Sequence, residues 1–222
     1  YQKPDFTIQN IGDVPGVIGD INLKRVTEEG YIKFDCHFTK TRPIAASKIS
    51  QINTYRQKLY DAGLVGAYPN KIGYGNISIR SGKEIIITGT ATGNYAQLSP
   101  EHYSRITRYD IHRNKLFCKG AIKASSESMT HAALYECASS IGAVIHVHDL
   151  KMWLRHKGEL PTTPDEIPYG TPELAFAIQR LYHQTDLKYK RIAVLDGHRE
   201  GLIAFGKDCK EAYEVIMRYV SK

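Results

Sequence analysis

No run of apolar residues in this 222-residue chain approaches the roughly 18 needed for a helix to cross a bilayer. Residues 1–20 are polar with scattered Gly and Pro, and lack the apolar stretch of a secretory signal. Like charges never gather into a block of five or six. Lys and Arg outnumber Asp and Glu by 30 to 23, a net +7, but they are spread along the whole chain. So diffuse an excess suits an anionic small molecule at least as well as a nucleic acid. Neither a nucleic-acid nor a membrane partner is expected. No C-x-x-C occurs, and Cys36, Cys118, Cys137 and Cys209 stand far apart in sequence. They read as structural thiols of a cytoplasmic protein in a reducing compartment, not as a disulfide framework. No internal repeat, low-complexity tract or Pro- and Ser-rich linker divides the chain, which is long enough for one sizeable core.

What is present is a mixture of strand and helix patterns. Tyr31 to Phe38 alternates polar and apolar residues, as a short strand does. From Ile49 to Ala62 the apolar residues follow a helical period, and Gly63 supplies a C-terminal cap. Gly75 to Arg80 and Glu84 to Thr88 read as two strands turning at Ser81-Gly82. Tyr109 to Lys115 and Leu116 to Gly120 suggest strands about an Arg113-Asn114 turn. Ser126 to Cys137 reads as a serine-capped helix, and Ala143 to His148 as a strand. Thr171-Pro172-Glu173 starts a helix reaching about Tyr182. Ile192 to Leu195 and Gly201 to Phe205 read as strands, and Asp208 to Tyr219 as a closing helix. Without regular βαβ alternation, the expected architecture is a single-domain α/β layered fold. A central, mainly antiparallel sheet would be flanked by helices.

Three constellations carry chemistry. The first is Val144-Ile145-His146-Val147-His148. Alternation along a strand puts both imidazoles on one face, roughly 7 Å apart at the backbone, within reach of one zinc ion. The bland alternative is a polar alternation on an exposed strand. A catalytic zinc needs a third ligand, and His198, in the tight Asp196-Gly197-His198-Arg199-Glu200-Gly201 turn, is the best candidate. Its alternative is a solvent-exposed turn histidine. His102, His112, His156 and His183 lie in polar surroundings and are expected at the surface. The second constellation is Ser125-Ser126-Glu127 with His131. A helix start there offers free N–H groups and a positive dipole end to an anion, although plain N-capping accounts for one serine. Glu127 falls in the first turn, and His131 is placed to touch it one turn later. The third is a pair of small-residue loops, Gly75-Asn76-Ile77-Ser78 and Thr88-Gly89-Thr90-Ala91-Thr92-Gly93. These can expose backbone N–H groups to a phosphate, but no Gly-Lys-Ser/Thr follows, so neither is a P-loop. Ordinary turn chemistry also explains them.

In this order, these pieces resemble the class II aldolase/adducin family, which includes fuculose-phosphate aldolase and ribulose-phosphate 4-epimerase. The likeness covers roughly residues 50 to 220. It implies an aldolase/adducin head-like fold, usually assembled as a homotetramer with active sites between subunits. His146, His148 and His198 would hold one Zn²⁺ per subunit, with Mn²⁺ or Co²⁺ as other candidates. Glu127 would be the acid/base. Asn76, Thr90, Ser125 and Ser126 would hold the substrate phosphate, flanked by Gly75 and Ala91. The activity implied is that of a zinc-dependent lyase: retro-aldol cleavage of a small phosphorylated sugar through a metal-stabilised enediolate.

The chain departs from the family pattern in places. Ala91 stands where a Gly is common, and Arg199 and Glu200 separate His198 from Gly201. Only 19 residues, 149–167, lie between His148 and Pro168. The sugar aldolases carry a longer segment there, with a tyrosine proton donor. Tyr169, Tyr213 or Tyr219 are the available substitutes. Residues 1–46 form a partly irregular N-terminal extension without a recognisable counterpart, and residues 47–222 form the aldolase/adducin-like domain. A sugar-phosphate 4-epimerase or dehydratase is the alternative on the same scaffold. Those epimerases carry Asp where this chain has Glu127, which favours the aldolase. A non-catalytic adducin-like interaction module is a further alternative, disfavoured by retention of the three histidines and the glutamate. A metallohydrolase would need further His and Asp ligands.

Overall fold

Ile85, Ile86 and Ile87 are consecutive, yet all three are buried. Successive strand residues face opposite ways, so their sheet must be covered on both sides. The computed structural model describes residues 31–220, and the first 30 residues of the N-terminal extension lie outside the described residues. Along the chain run β1 (Asp35–Lys40), α1 (Ala46–Asp61), β2 (Gly66–Ala67), β3 (Gly73–Tyr74), β4 (Asn76–Ser81) and β5 (Glu84–Thr88). After a short 3₁₀ turn come β6 (Tyr103–Asp110), β7 (Lys115–Gly120), α2 (Ser128–Cys137), β8 (Ala143–His148) and α3 (Leu150–His156). The chain continues through α4 (Pro172–Gln184), α5 (Leu187–Lys190), β9 (Ile192–Val194), β10 (Gly201–Gly206) and α6 (Cys209–Met217).

Eight strands form one sheet in the order β1-β7-β6-β5-β4-β8-β10-β9, and β2 pairs with β3 in a separate ribbon. The β1–β7 pair is parallel and every other neighbouring pair is antiparallel. Helices cover both faces. Ile85, Ile87, Val144 and Ile203 pack with Met129 and Leu134 of α2 and with Leu174 and Ile178 of α4. Ile77, Ile86, Ile145, Val147 and Ala204 pack with Ile52 and Leu59 of α1 and with Val215 and Ile216 of α6. Burying each of the larger of these side chains contributes about 1.5–3 kcal/mol. The layered α/β fold expected from the sequence is the one observed.

Several details differ from the sequence reading. Residues 31–46 of the extension pack onto the rest of the chain: β1 joins the sheet, and Phe34 and Ile44 are core residues. The β1–β7 pairing brings Cys36 and Cys118 together, with their sulfurs 3.8 Å apart and both thiols free. α2 begins two residues later than expected. Ser125 and Ser126 lie ahead of it, and Glu127 is the capping residue. The stretch after His148 contains α3, capped by Asp149, whose carboxylate accepts from the Met152 N–H. Among the described residues no helix is long and apolar enough to cross a membrane.

Candidate metal centre

His146 and His148 stand two apart on β8, on the face that carries Val144 and looks toward α2. β10 is paired directly beside β8, with Gly201 opposite His148. The turn entering β10 folds back through hydrogen bonds from His198 N to Leu195 O and from Gly201 N to His198 O, at 3.1 and 2.8 Å. This aims His198 across the same face. An added Cβ at Gly197 would lie 2.0 Å from the Ile167 carbonyl oxygen, so only glycine lets the turn sit so close to its neighbour. The three imidazole centroids form a near-equilateral triangle with sides of 4.7–4.8 Å. All three rings are buried, and their ligand nitrogens lie within 4.8 Å of one another.

The hydrogen bonds around two of these rings fix where their lone pairs point. His146 Nδ1 lies 3.0 Å from the Leu202 carbonyl, which can only accept, so Nδ1 carries the proton and Nε2 the lone pair. Tyr68 donates its hydroxyl proton to Glu200 Oε2 at 3.0 Å, so its oxygen accepts from His148 Nδ1 at 2.8 Å. His148 Nε2 is then also a lone pair. The two Nε2 atoms face each other at 3.0 Å. Two facing lone pairs repel unless a cation joins them, and two nitrogens on a tetrahedral zinc ion stand about 3.4 Å apart. The donor set therefore fits a divalent ion.

Burial holds His146 well below its ordinary titration range, with His198 and His131 adding to the effect. Burial likewise pushes His198 down to about 3, assisted by Lys33, and His131 to about 3. At neutral pH all three are uncharged. An unfolded chain would protonate them near pH 6.5. Metal-free protein should therefore show no pH dependence from these groups above pH 6.5. Its stability should fall as pH drops from 6.5 toward 3, by about 1.4 kcal/mol per pH unit for each ring. Denaturant melts at pH 7.5, 6.5 and 5.5 check this; equal stability at all three would contradict it.

Glu127 is buried beside the cluster. Its Oε1 lies 3.6 Å from His198 Nδ1, and its Oε2 accepts from Thr130 at 3.2 Å. His131 donates its backbone N–H to the Glu127 carbonyl at 3.1 Å; its Nδ1 pairs with Ser78 Oγ at 2.7 Å, and Ser78 also meets Tyr135. Of the three tyrosines considered from sequence, Tyr169 reaches the cluster. Its ring stacks on His198 at 4.9 Å, with Lys33 Nζ 4.0 Å above its other face. Tyr213 packs against Tyr55 and Tyr219 against His156. His112 and His183 are exposed, and His102 and His156 are half-buried with partners of their own.

The segments that carry the residues expected to hold an anion lie next to one another in the fold. Asn76 on β4 lies directly opposite His146 in the β4–β8 register. Its Oδ1 is buried and has no hydrogen-bond partner among the described residues. Thr90 N bonds Lys123 O and Ser125 N bonds Thr88 O, which sews the Gly89 loop to the Ser125–Ser126 segment. Gly75 has φ +74, and an added Cβ would stand 2.5 Å from Val65, so no other residue fits ahead of Asn76. Ala91 adopts φ +56, the left-handed region, which explains why Gly suits that position.

Three contributing residues carry almost no signal in the sequence. The buried Arg56 of α1 donates to the carbonyls of Thr92, Gly93 and Ala96 and pins the loop. Tyr68 and Glu200 hold His148 from behind. The doubled spacer before Gly201 is the one local hint of Glu200. An open cavity of about 560 Å³ reaches His148, and Tyr68, Tyr74, Lys151 and Glu200 line it.

The family described as Class II Aldolase and Adducin N-terminal domain matches residues 51–220. The L-fuculose-1-phosphate aldolase from Thermus thermophilus superposes with a TM-score of 0.58 at 20% identity, over 78% of this chain and 89% of that one. A sugar-phosphate aldolase from Thermotoga maritima gives 0.57 at 20% identity, over 78% and 90% of the two chains. At such identity the likeness to each is one of fold. No curated protein matches the chain in sequence.

Proposed function

Because the chain belongs to the class II aldolase and adducin N-terminal domain family, we propose that it is a metal-dependent lyase that cleaves a small phosphorylated sugar by a retro-aldol reaction. The observation that carries this reading is the 3.0 Å approach of two imidazole lone pairs, with a third imidazole and a buried carboxylate beside them. His146, His148 and His198 hold the ion, with zinc the first candidate for three neutral imidazoles. When bound, the ion supplies Lewis-acid polarisation of the substrate's carbonyl and hydroxyl oxygens.

The chain's own residues do the rest. Asn76, Thr90, Ser125 and Ser126, with Gly75 and Ala91 shaping the backbone, hold the phosphate. They thereby fix the reacting carbons beneath Glu127. In the cleavage direction the C3–C4 bond breaks, the C4 hydroxyl loses its proton, and an aldehyde leaves. Glu127 delivers a proton to C3, which yields a triose phosphate. Tyr169, whose ring stacks on His198, is our candidate partner for that hydroxyl proton: it donates it to the aldehyde oxygen in the aldol direction and, as the phenolate, takes it up in cleavage. Residues 47–222 carry the catalytic groups, and residues 1–46 are an extension whose strand β1 joins the same sheet. The protein works in the reducing cytoplasm, where its four thiols stay free, as a homo-oligomer with a tetramer favoured.

The test is metal analysis of the purified protein, followed by a screen of ketose 1-phosphates for triose-phosphate release with the zinc-loaded enzyme. One zinc per chain and release from at least one substrate are expected. Protein that takes up no zinc would favour the interaction module. Zinc-loaded protein that epimerises or dehydrates its substrate without releasing a triose would assign the second activity.

A further inference from the structure

Glu200 stands in the left-handed region at φ +69, where a residue other than glycine is strained. Its backbone there has a simple duty: its carbonyl accepts from Asp149 N at 2.9 Å, and glycine could serve as well. What glycine could not supply is the side chain. Glu200 Oε2 accepts from the Tyr68 hydroxyl at 3.0 Å, while Arg199 Nε stands 3.9 Å from Oε1. The Tyr68 oxygen in turn meets His148 Nδ1 at 2.8 Å. Tyr68 arrives on the ribbon formed by β2 and β3. That ribbon turns between Tyr68 and Lys71 and lays the Tyr74 ring 5.3 Å from His148.

We propose that Tyr68 and Glu200 form a positioning relay: the carboxylate orients the tyrosine hydroxyl, and the hydroxyl oxygen holds His148 with its proton on Nδ1 and its Nε2 lone pair toward the metal. This rests on the metal reading above. The direction of each hydrogen bond carries the argument. A carboxylate only accepts, so it commits the single hydroxyl proton of Tyr68. The hydroxyl oxygen is then an acceptor, which selects one tautomer of His148. Without Glu200 the hydroxyl is free to turn and donate to Nδ1, which would put the ring proton on Nε2, on the side of the metal. The relay would also explain why a strained Glu occupies the spacer before Gly201. Its backbone cost is offset by the orientation of a ligand 52 residues away in sequence (148 to 200). Partners of this kind typically change metal affinity 10–100-fold.

Zinc affinity by chelator competition tests the relay, with thermal melts of the metal-free forms alongside. Tyr68→Phe and Glu200→Gly should each weaken zinc binding about 10–100-fold, and the double variant should be no weaker than the worse single one. Glu200→Gln should stay within about threefold of the parent, because its amide oxygen still accepts from Tyr68. Metal-free Glu200→Gly should melt no lower than the parent, since glycine relieves the backbone. The relay is overturned if Tyr68→Phe binds zinc within twofold of the parent while His146→Ala loses it. Full additivity in the double variant overturns it too, because the two residues would then act separately. If the parent protein itself takes up no zinc, the metal reading fails and the relay fails with it.

Discussion

Glu127→Gln is expected to leave the protein folded and metal-loaded while turnover falls by about 10²–10⁴-fold, the usual scale for removing a positioned acid/base. The side chain keeps its shape, and its oxygen can still accept from Thr130. What disappears is the ability to carry a proton 3.6 Å from His198. KM should change far less than kcat, because the residues proposed to grip the phosphate, Asn76, Thr90, Ser125 and Ser126, are left untouched. The measurement is steady-state kinetics on the zinc-saturated variant, with its metal content determined on the same sample. Turnover equal to the parent's would remove Glu127 from the proton transfer.

Stripping the metal should have the second large effect. Three uncharged imidazoles held together without an ion leave two lone pairs facing at 3.0 Å. Zinc at 1,000 times its dissociation constant should stabilise the fold by about 4 kcal/mol. For a chain of this size that is roughly 8–16 °C in Tm, taking about 2–4 °C per kcal/mol. Calorimetry with and without chelator measures the increment, and His146→Ala should abolish it. A melting temperature indifferent to chelation in the parent, with zinc shown to be bound beforehand, would mean that the ion contributes nothing to the folded state.

How much of this is legible in the residues depends on the range of each signal. The parity of His146 and His148 is a property of five consecutive residues, and β8 is observed from Ala143 to His148 as the pattern dictates. Thr171 and Asp208 cap their helices through side-chain bonds to Leu174 N and Glu211 N, another local signal. The start of α2 lies beyond its serine signal because Ser125 only resembles a cap; its Oγ accepts from Glu127 N ahead of the helix. α3 gives a weak pattern because it is short and mostly unburied on its outer side, although Asp149 is a readable cap. Tyr68 and Arg56 reach their partners from 80 and about 36–40 residues away, a distance over which neither periodicity nor spacing carries information. The convergence of His198 on β8 is legible only through the ordered resemblance. The hydrogen bonds of its turn show how it is achieved.

The two margins of the eight-stranded sheet bear on how the protein behaves at high concentration. An unpaired strand margin is a template on which a second molecule can grow a continuous ribbon. On one side the outermost strand is β1, which is largely exposed and carries Asp35, His37 and Lys40, charged or polar groups that disfavour stacking by a second copy. On the other side β9 is only three residues long, and Pro161 and Thr163 already bond Val194 on its outer flank. Each margin is thus blunted by a different device, one by polarity and one by brevity and cover. Among the described residues, neither margin of this sheet offers a long, bare, apolar strand from which strand-to-strand fibre growth could start.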